Sequence, residues 1–152
     1  MPGPEIDPIL VRLRSCCTHD IEEGVGLAAD LFDEMRMHTN ELATDPRAQA
    51  IREELIKLTN RDLRHPNLHG ALWALSKVRD PSLQPVFVEC MYRSFNMLRM
   101  AEADLWQTIY ALADAGVDEL RVSGGCLDFD RNHQLALEYL KKLGMFEIPD
   151  PH

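Results

Sequence analysis

The feature that most constrains this chain is an internal repeat whose two copies lie 37 positions apart. The matching positions carry similar residues in the same order: Asn67 with Asp104, Leu68 with Leu105, Leu72 with Ile109, Trp73 with Tyr110, Ala74 with Ala111 and Leu75 with Leu112. In each copy leucine-type residues recur at i, i+4 and i+7, which is the period of an amphipathic helix. A helical repeat of this length indicates a stacked array of helices.

Helix signals continue on both sides of the repeat. Asp-Pro pairs at 7–8, 45–46 and 80–81 each suit a helix start. A capping box from Asp20 to Glu23 predicts the second helix, in which Gly24 and Gly26 indicate close packing or a ragged start. The first helix is expected to end near Cys17, and Asp130 to cap the last. No long period-2 alternation exists, although residues 119–123 could pair briefly.

We therefore predict one all-α domain over residues 1–152, with six to eight helices in a right-handed stack. The apolar positions expected in its core are Leu72, Leu75, Phe87, Met91, Ile109 and Leu112. The long connection from Val117 to Asp130 contains Gly124-Gly125. Connections of this length in compact helical proteins are often functional.

The segment from Pro66 to Leu75, followed by Val78, Asp80-Pro81 and Pro85, resembles a HEAT-like repeat. The family's usual arginine in the second helix is missing, and His69 stands near its place. The resemblance implies a right-handed α-solenoid, a curved stack that binds another macromolecule. It implies no particular activity.

Charge narrows the choice of partners. The formal net charge is −9, which argues against nucleic acid and anionic membranes because both attract positive surfaces. The chain contains no apolar run long enough to span a bilayer, and its first residues do not resemble a signal peptide. The four cysteines lack CxxC spacing, so free thiols in the cytoplasm are expected, with Cys16 and Cys17 buried on an apolar face.

The sequence contains no GxSxG, HExxH, P-loop or GxGxxG pattern. His65 and His69 have a spacing that can bind zinc, but packing at a helix start is the expected role because no third ligand is near. We predict no catalytic residues, no metal and no cofactor.

Three aromatic residues form the first candidate binding element. Trp106 and Tyr110 lie one helical turn apart, and Trp73 is the repeat equivalent of Tyr110. Each lies about 100° from the leucine stripe of its helix, so the three are expected along one edge of the stack. They either pack between repeats or form an aromatic ridge for a partner, since Trp and Tyr are enriched at binding sites.

The second candidate element is the acidic second helix. Residues 18–45 hold eight acids and a single basic residue, Arg36. The predicted binding face comprises Glu23, Asp30, Asp33 and Glu34, with Leu27 and Leu31 facing inward. Either these acids form a solvated surface or they bind a basic protein.

Three functions fit these features. An acidic helical stack resembles, in type rather than in motif, the bacterial immunity proteins that neutralise a cognate toxin, often basic. A HEAT-like adaptor in a multiprotein assembly is the alternative. An enzyme, such as a helical-repeat DNA glycosylase or a HEAT-like lyase, is disfavoured because no catalytic motif or basic groove is evident.

Overall fold

The computed structural model describes residues 6–38, 46–60, 66–96, 102–122 and 128–145. These ranges form seven α-helices, two short 3₁₀ helices and no strand. The α-helices are α1 (Ile6–Leu13), α2 (Thr18–His38), α3 (Pro46–Thr59), α4 (Leu68–Ser76), α5 (Gln84–Asn96), α6 (Glu102–Asp114) and α7 (Phe129–Lys142). The predicted all-α fold is confirmed, and none of the described helices has the length and apolarity needed to cross a bilayer.

The helices pack in two rows. Each of α1, α3 and α5 packs against the helix that follows it. In one row α2 contacts α4, and α4 contacts α6; in the other, α1, α3, α5 and α7 contact one another in succession. The row of α2, α4 and α6 carries the aromatic residues that the sequence singled out.

Hydrogen bonds show that α2, α4 and α6 run in the same direction. Near the starts of α2 and α4, Nδ2 of Asn67 donates to the carbonyl of Thr18 at 3.2 Å. Near their ends, Nη1 of Arg36 donates to the carbonyl of Lys77 at 2.9 Å. A contact between His69 and Asp104 at 3.0 Å joins the starts of α4 and α6. Lys77 after α4 and Asp114 at the end of α6 line one hollow, so the ends of the three helices lie on the same side of the molecule.

The core contains all of the positions predicted for it. Leu72, Leu75, Met91, Ile109 and Leu112 have no measurable exposure, and Phe87 is 1% exposed. The repeat thus identified the inward faces of α4 and α6 correctly. In α3 the leucine-type residues also face inward, as the 3.6-residue period requires.

Helix ends agree with the sequence in part. Asp80 accepts a hydrogen bond from the backbone N–H of Ser82 at 3.0 Å, but the helix it caps is a 3₁₀ turn, Pro81–Leu83, that precedes α5. Asp128, rather than Asp130, caps α7 by accepting from Arg131. Asp20 does not open α2, which begins at Thr18; its carboxylate instead accepts from the Ser15 hydroxyl.

The inward face of α2 differs from the prediction. Leu27 is 42% exposed, and Leu31 is only partly buried. The buried residues are instead Ile21, Val25, Ala28, Ala29, Phe32 and Met35. Because α2 packs on both α1 and α4, its buried stripe is broad and includes alanines, which a search for leucines alone overlooks.

Two further predictions were wrong. Cys16 and Cys17 are exposed, because α1 ends at Leu13 and both thiols fall in the turn before α2. Residues 118–122 form a 3₁₀ helix rather than an extended pairing segment. Gly124-Gly125 in the same connection, like His65, lies outside the described residues.

Candidate partner-binding groove

The three aromatic residues line one groove across the row of α2, α4 and α6. Trp106 and Tyr110 pack edge to face on α6, with ring centroids 4.7 Å apart and an interplanar angle of 62°. Trp73 of α4 lines the same groove, whose volume is about 230 Å³. Trp73 is 38% exposed and Tyr110 is 42% exposed. The structure therefore places large aromatic surfaces in contact with solvent on two neighbouring helices.

The groove lies close to the ends of α2 and α4. Arg36 from α2 and Lys77, the residue directly after α4, lie on its wall, while the buried residues Ser76 and Gln107 contribute to its lining. The Lys77 ammonium stands 5.2 Å from the centroid of the Trp73 ring, a cation–π contact that holds the indole in place.

Asp33 is already engaged at the rim of the groove. Its carboxylate lies 2.8 Å from Nη2 of Arg36 and 3.4 Å from Nζ of Lys77. A single acid is shared by two cations, so this cluster carries one net positive charge. Asp33 was predicted to contact a basic partner, yet the structure gives it a local role in joining α2 to the end of α4.

The other acids on α2 have different surroundings. Glu23 lies 3.4 Å from Arg12 and 3.2 Å from the His19 ring. Asp30 and Glu34 are exposed, and neither forms an ion pair with another described residue. These two acids, together with the exposed Leu27 one turn before Asp30, form the outer face of α2.

Arg79 lies at the end of the groove in an uncommon backbone conformation. Its φ is +55°, and it is the one non-glycine residue with a positive φ in the described ranges. Its side chain lines the groove, is exposed and forms no ion pair to another described residue. The groove therefore presents a guanidinium that no carboxylate of the described residues neutralises.

One donor in the groove is unsatisfied. The indole nitrogen of Trp106 is buried and has no hydrogen-bond partner among the described residues. Burying such an N–H without an acceptor costs about 1–3 kcal/mol. Trp106 thus combines aromatic surface with a donor that no described residue satisfies.

A second hollow lies at the opposite ends of α2 and α4. Residues of both helix starts line it, including His19, Glu22, Asn67 and His69. His69 is held by Asp104, whose pKa is raised because burial disfavours its charge, although the nearby His69 acts in the other direction. Among the described residues, no group of three His, Cys, Asp or Glu side chains is placed to hold a metal ion.

Comparison of the chain with known family models, curated proteins and solved structures gives no match. The HEAT-like assignment therefore stays a prediction from the sequence pattern, and the geometry of the groove carries the functional argument.

The sequence indicated the aromatic residues but not the basic ones beside them. Arg36 belongs to α2, whereas Lys77 and Arg79 lie in the turn after α4, and only the packing of α2 on α4 brings the three together. One local signal for this set existed. Lys77 and Arg79 follow the last turn of α4, where basic residues favour the helix end.

Proposed function

We propose that this chain is a protein-binding helical module. Its binding surface comprises the aromatic groove and the outer face of α2. The observation that carries the proposal is the exposure of Trp73 and Tyr110 on two adjacent helices that line one groove. Aromatic side chains that bury well against a partner are the commonest energetic anchors of protein interfaces. The proposed role is therefore binding rather than catalysis.

The proposed partner is a basic protein, and the proposed role of the chain is to neutralise a toxin. The net charge of −9 attracts a basic surface over a Debye length of about 8–10 Å. Asp30 and Glu34 supply exposed carboxylates that have no ion-pair partner among the described residues, and Leu27 adds apolar surface one turn before Asp30. An inhibitor of this kind needs only shape, charge and a few anchors, all of which are compatible with a small helical domain.

The architecture that accompanies this function is a right-handed HEAT-like α-solenoid. The 37-residue repeat supports it, as do the two rows of helices. Asn67 and Asp104 occupy equivalent positions of the repeat. Asn67 contacts Thr18 at the start of α2, and Asp104 contacts His69 of α4, so each residue contacts the preceding helix of the row. In such stacks one row forms the surface that receives the partner.

The test begins with capture of binding proteins on the immobilised chain, followed by affinity measurements with the purified partner. Reversal of the free acids in the double variant Asp30→Lys, Glu34→Lys should weaken binding about tenfold or more at low salt, and weaken it less at high salt. The control is Glu53→Lys, Glu89→Lys, which changes the net charge equally on exposed residues of α3 and α5.

A cell-based measurement addresses the toxin. Expression of the partner alone should arrest growth, and co-expression of the chain should restore it. A captured partner without toxicity would replace neutralisation with an adaptor role. Equal affinities of the two charge-reversed variants would remove the outer face of α2 from the interface.

A further inference from the structure

The aromatic groove has a charge opposite to that of the whole chain. Arg36, Lys77 and Arg79 line it, and Asp114 is the one acid among its described lining residues. Asp114 lies 3.8 Å from Arg121, and the carboxylate of Asp33 is shared by Arg36 and Lys77. Each nearby acid therefore already has a cationic neighbour, while Arg79 has no acidic partner among the described residues.

The backbone at Arg79 adopts a conformation that favours glycine. Residues just after α6 and α7 also adopt positive φ, and there the chain uses Gly116 (φ +111°) and Gly144 (φ +75°). Glycine is the favoured residue at such positions because a Cβ is strained in the left-handed region. After α4 the chain carries Arg79 instead. At this position the chain therefore places a guanidinium in the groove in spite of backbone strain.

A second, independent observation points to the same ligand chemistry. The buried indole N–H of Trp106 has no acceptor among the described residues, and Trp106 lines the groove beside the exposed ring of Tyr110. An arginine and an indole N–H are both donors, and a carboxylate is an acceptor with several lone pairs. Aromatic walls in turn suit an apolar or aromatic side chain.

We propose that the groove binds a carboxylate-bearing segment of the partner protein, in which an Asp or Glu lies beside an aromatic side chain. The carboxylate pairs with Arg79 and lies near the Lys77 end of the groove, while the aromatic ring packs between Trp73 and Tyr110. This inference rests on the proposed binding function. The interface would then contain two regions of opposite charge. The acidic outer face of α2 binds basic residues of the partner, and the basic groove binds an acidic residue.

The chain provides its own probe for this inference. It contains two tryptophans, Trp73 and Trp106, and both line the groove. Intrinsic tryptophan fluorescence therefore reports on the groove alone. The ligand is the blocked peptide acetyl-Asp-Phe-Glu-amide, and the comparison peptides are acetyl-Asn-Phe-Gln-amide and acetyl-Lys-Phe-Lys-amide, none of which contains tryptophan.

The acidic peptide should shift the tryptophan emission in a saturable manner, and the amide peptide should bind about tenfold more weakly because a charge-assisted hydrogen bond is lost. Arg79→Gly should weaken binding of the acidic peptide by a similar factor without lowering the melting temperature, since glycine suits the positive φ. Arg79→Lys should retain part of the affinity. Lys141→Gln, at an exposed position on α7, should leave it unchanged.

Several outcomes would overturn the inference. These are tighter binding of the lysine peptide, no response to the acidic peptide at millimolar concentration, equal binding by Arg79→Gly, or saturation of the same response by inorganic phosphate. The experiment needs no natural partner. Its failure is therefore distinct from failure of the proposed function, which the charge-reversed variants of α2 and the growth assay test separately.

Discussion

Nδ1 of His69 and Oδ1 of Asp104 lie 3.0 Å apart across the contact between α4 and α6. The contact joins two neighbouring helices of the row that carries the groove. Asp104 is largely withdrawn from water, and burial raises the pKa of its carboxyl above the ordinary value of 3.8 even though His69 opposes the rise. The pair therefore joins α4 to α6, and burying the ionised Asp104 carboxylate costs stability to an extent that depends on pH.

Asp104→Asn is expected to remove that cost. A raised pKa means that the folded chain binds the Asp104 proton more tightly than the unfolded chain does. The contribution of this carboxyl to stability is therefore greatest below 3.8 and declines as pH rises through the folded-state pKa. In urea unfolding across this pH range, the free energy of unfolding of the asparagine variant should increase relative to that of the natural chain as pH rises. A relative loss with rising pH would contradict the assigned direction.

Two glycines on α2 should respond oppositely to the same change. A Cβ at Gly24 would lie 2.9 Å from Cβ of Arg12 and 3.1 Å from the backbone nitrogen of Leu13, whereas a Cβ at Gly26 would meet nothing within 4 Å. Gly26→Ala should raise the free energy of unfolding by about 1 kcal/mol through helix propensity. Gly24→Ala should lower it by roughly 1–3 kcal/mol, because α1 must move away.

Gly26→Ala is the control for Gly24→Ala, since both add one methyl group to the same helix. Urea denaturation measures each difference. Equal stabilisation by the two alanines would show that α1 does not approach α2 as closely as the structure places it.

The paired core positions Leu75 and Leu112 test the repeat alignment. Both side chains are fully buried, so truncation to alanine should lower the free energy of unfolding by about 2–5 kcal/mol at each position. Leu27→Ala serves as the matched control and should cost about 0.5 kcal/mol, because Leu27 faces solvent to a large extent. Thermal and urea unfolding measure the three differences. A loss of stability in Leu27→Ala as large as in the other two variants would contradict the orientation of α2.

Periodicity and repetition predicted the helices and the core, because both depend on local spacing. Leu75 and Leu112 face inward in each copy of the repeat, and Gly116, with a positive φ, follows the end of α6. These features follow from the residues close to each position in the chain. Sequence reasoning is reliable for such features when the pattern is long.

Features that depend on which helices meet were not predictable in the same way. Leu27 faces outward because α1 and α4 both pack on α2 and together select the buried side of that helix. Asp33 is shared by Arg36 of α2 and Lys77, the residue directly after α4, so the acidic pattern of α2 alone could not reveal it. The sequence thus identified the aromatic residues of the groove but not its charge.

The most direct test of the central claim, that the aromatic groove binds a protein partner, is the dissociation constant of the captured partner for the double variant Trp73→Ala, Tyr110→Ala. Phe129→Ala is the control, since Phe129 is an aromatic residue of α7 with a similar exposure of 41%. Loss of two anchors should weaken binding about 100-fold while the melting temperature stays close to that of the natural chain. Affinity within twofold of the natural chain, or an equal loss in Phe129→Ala, would contradict the account.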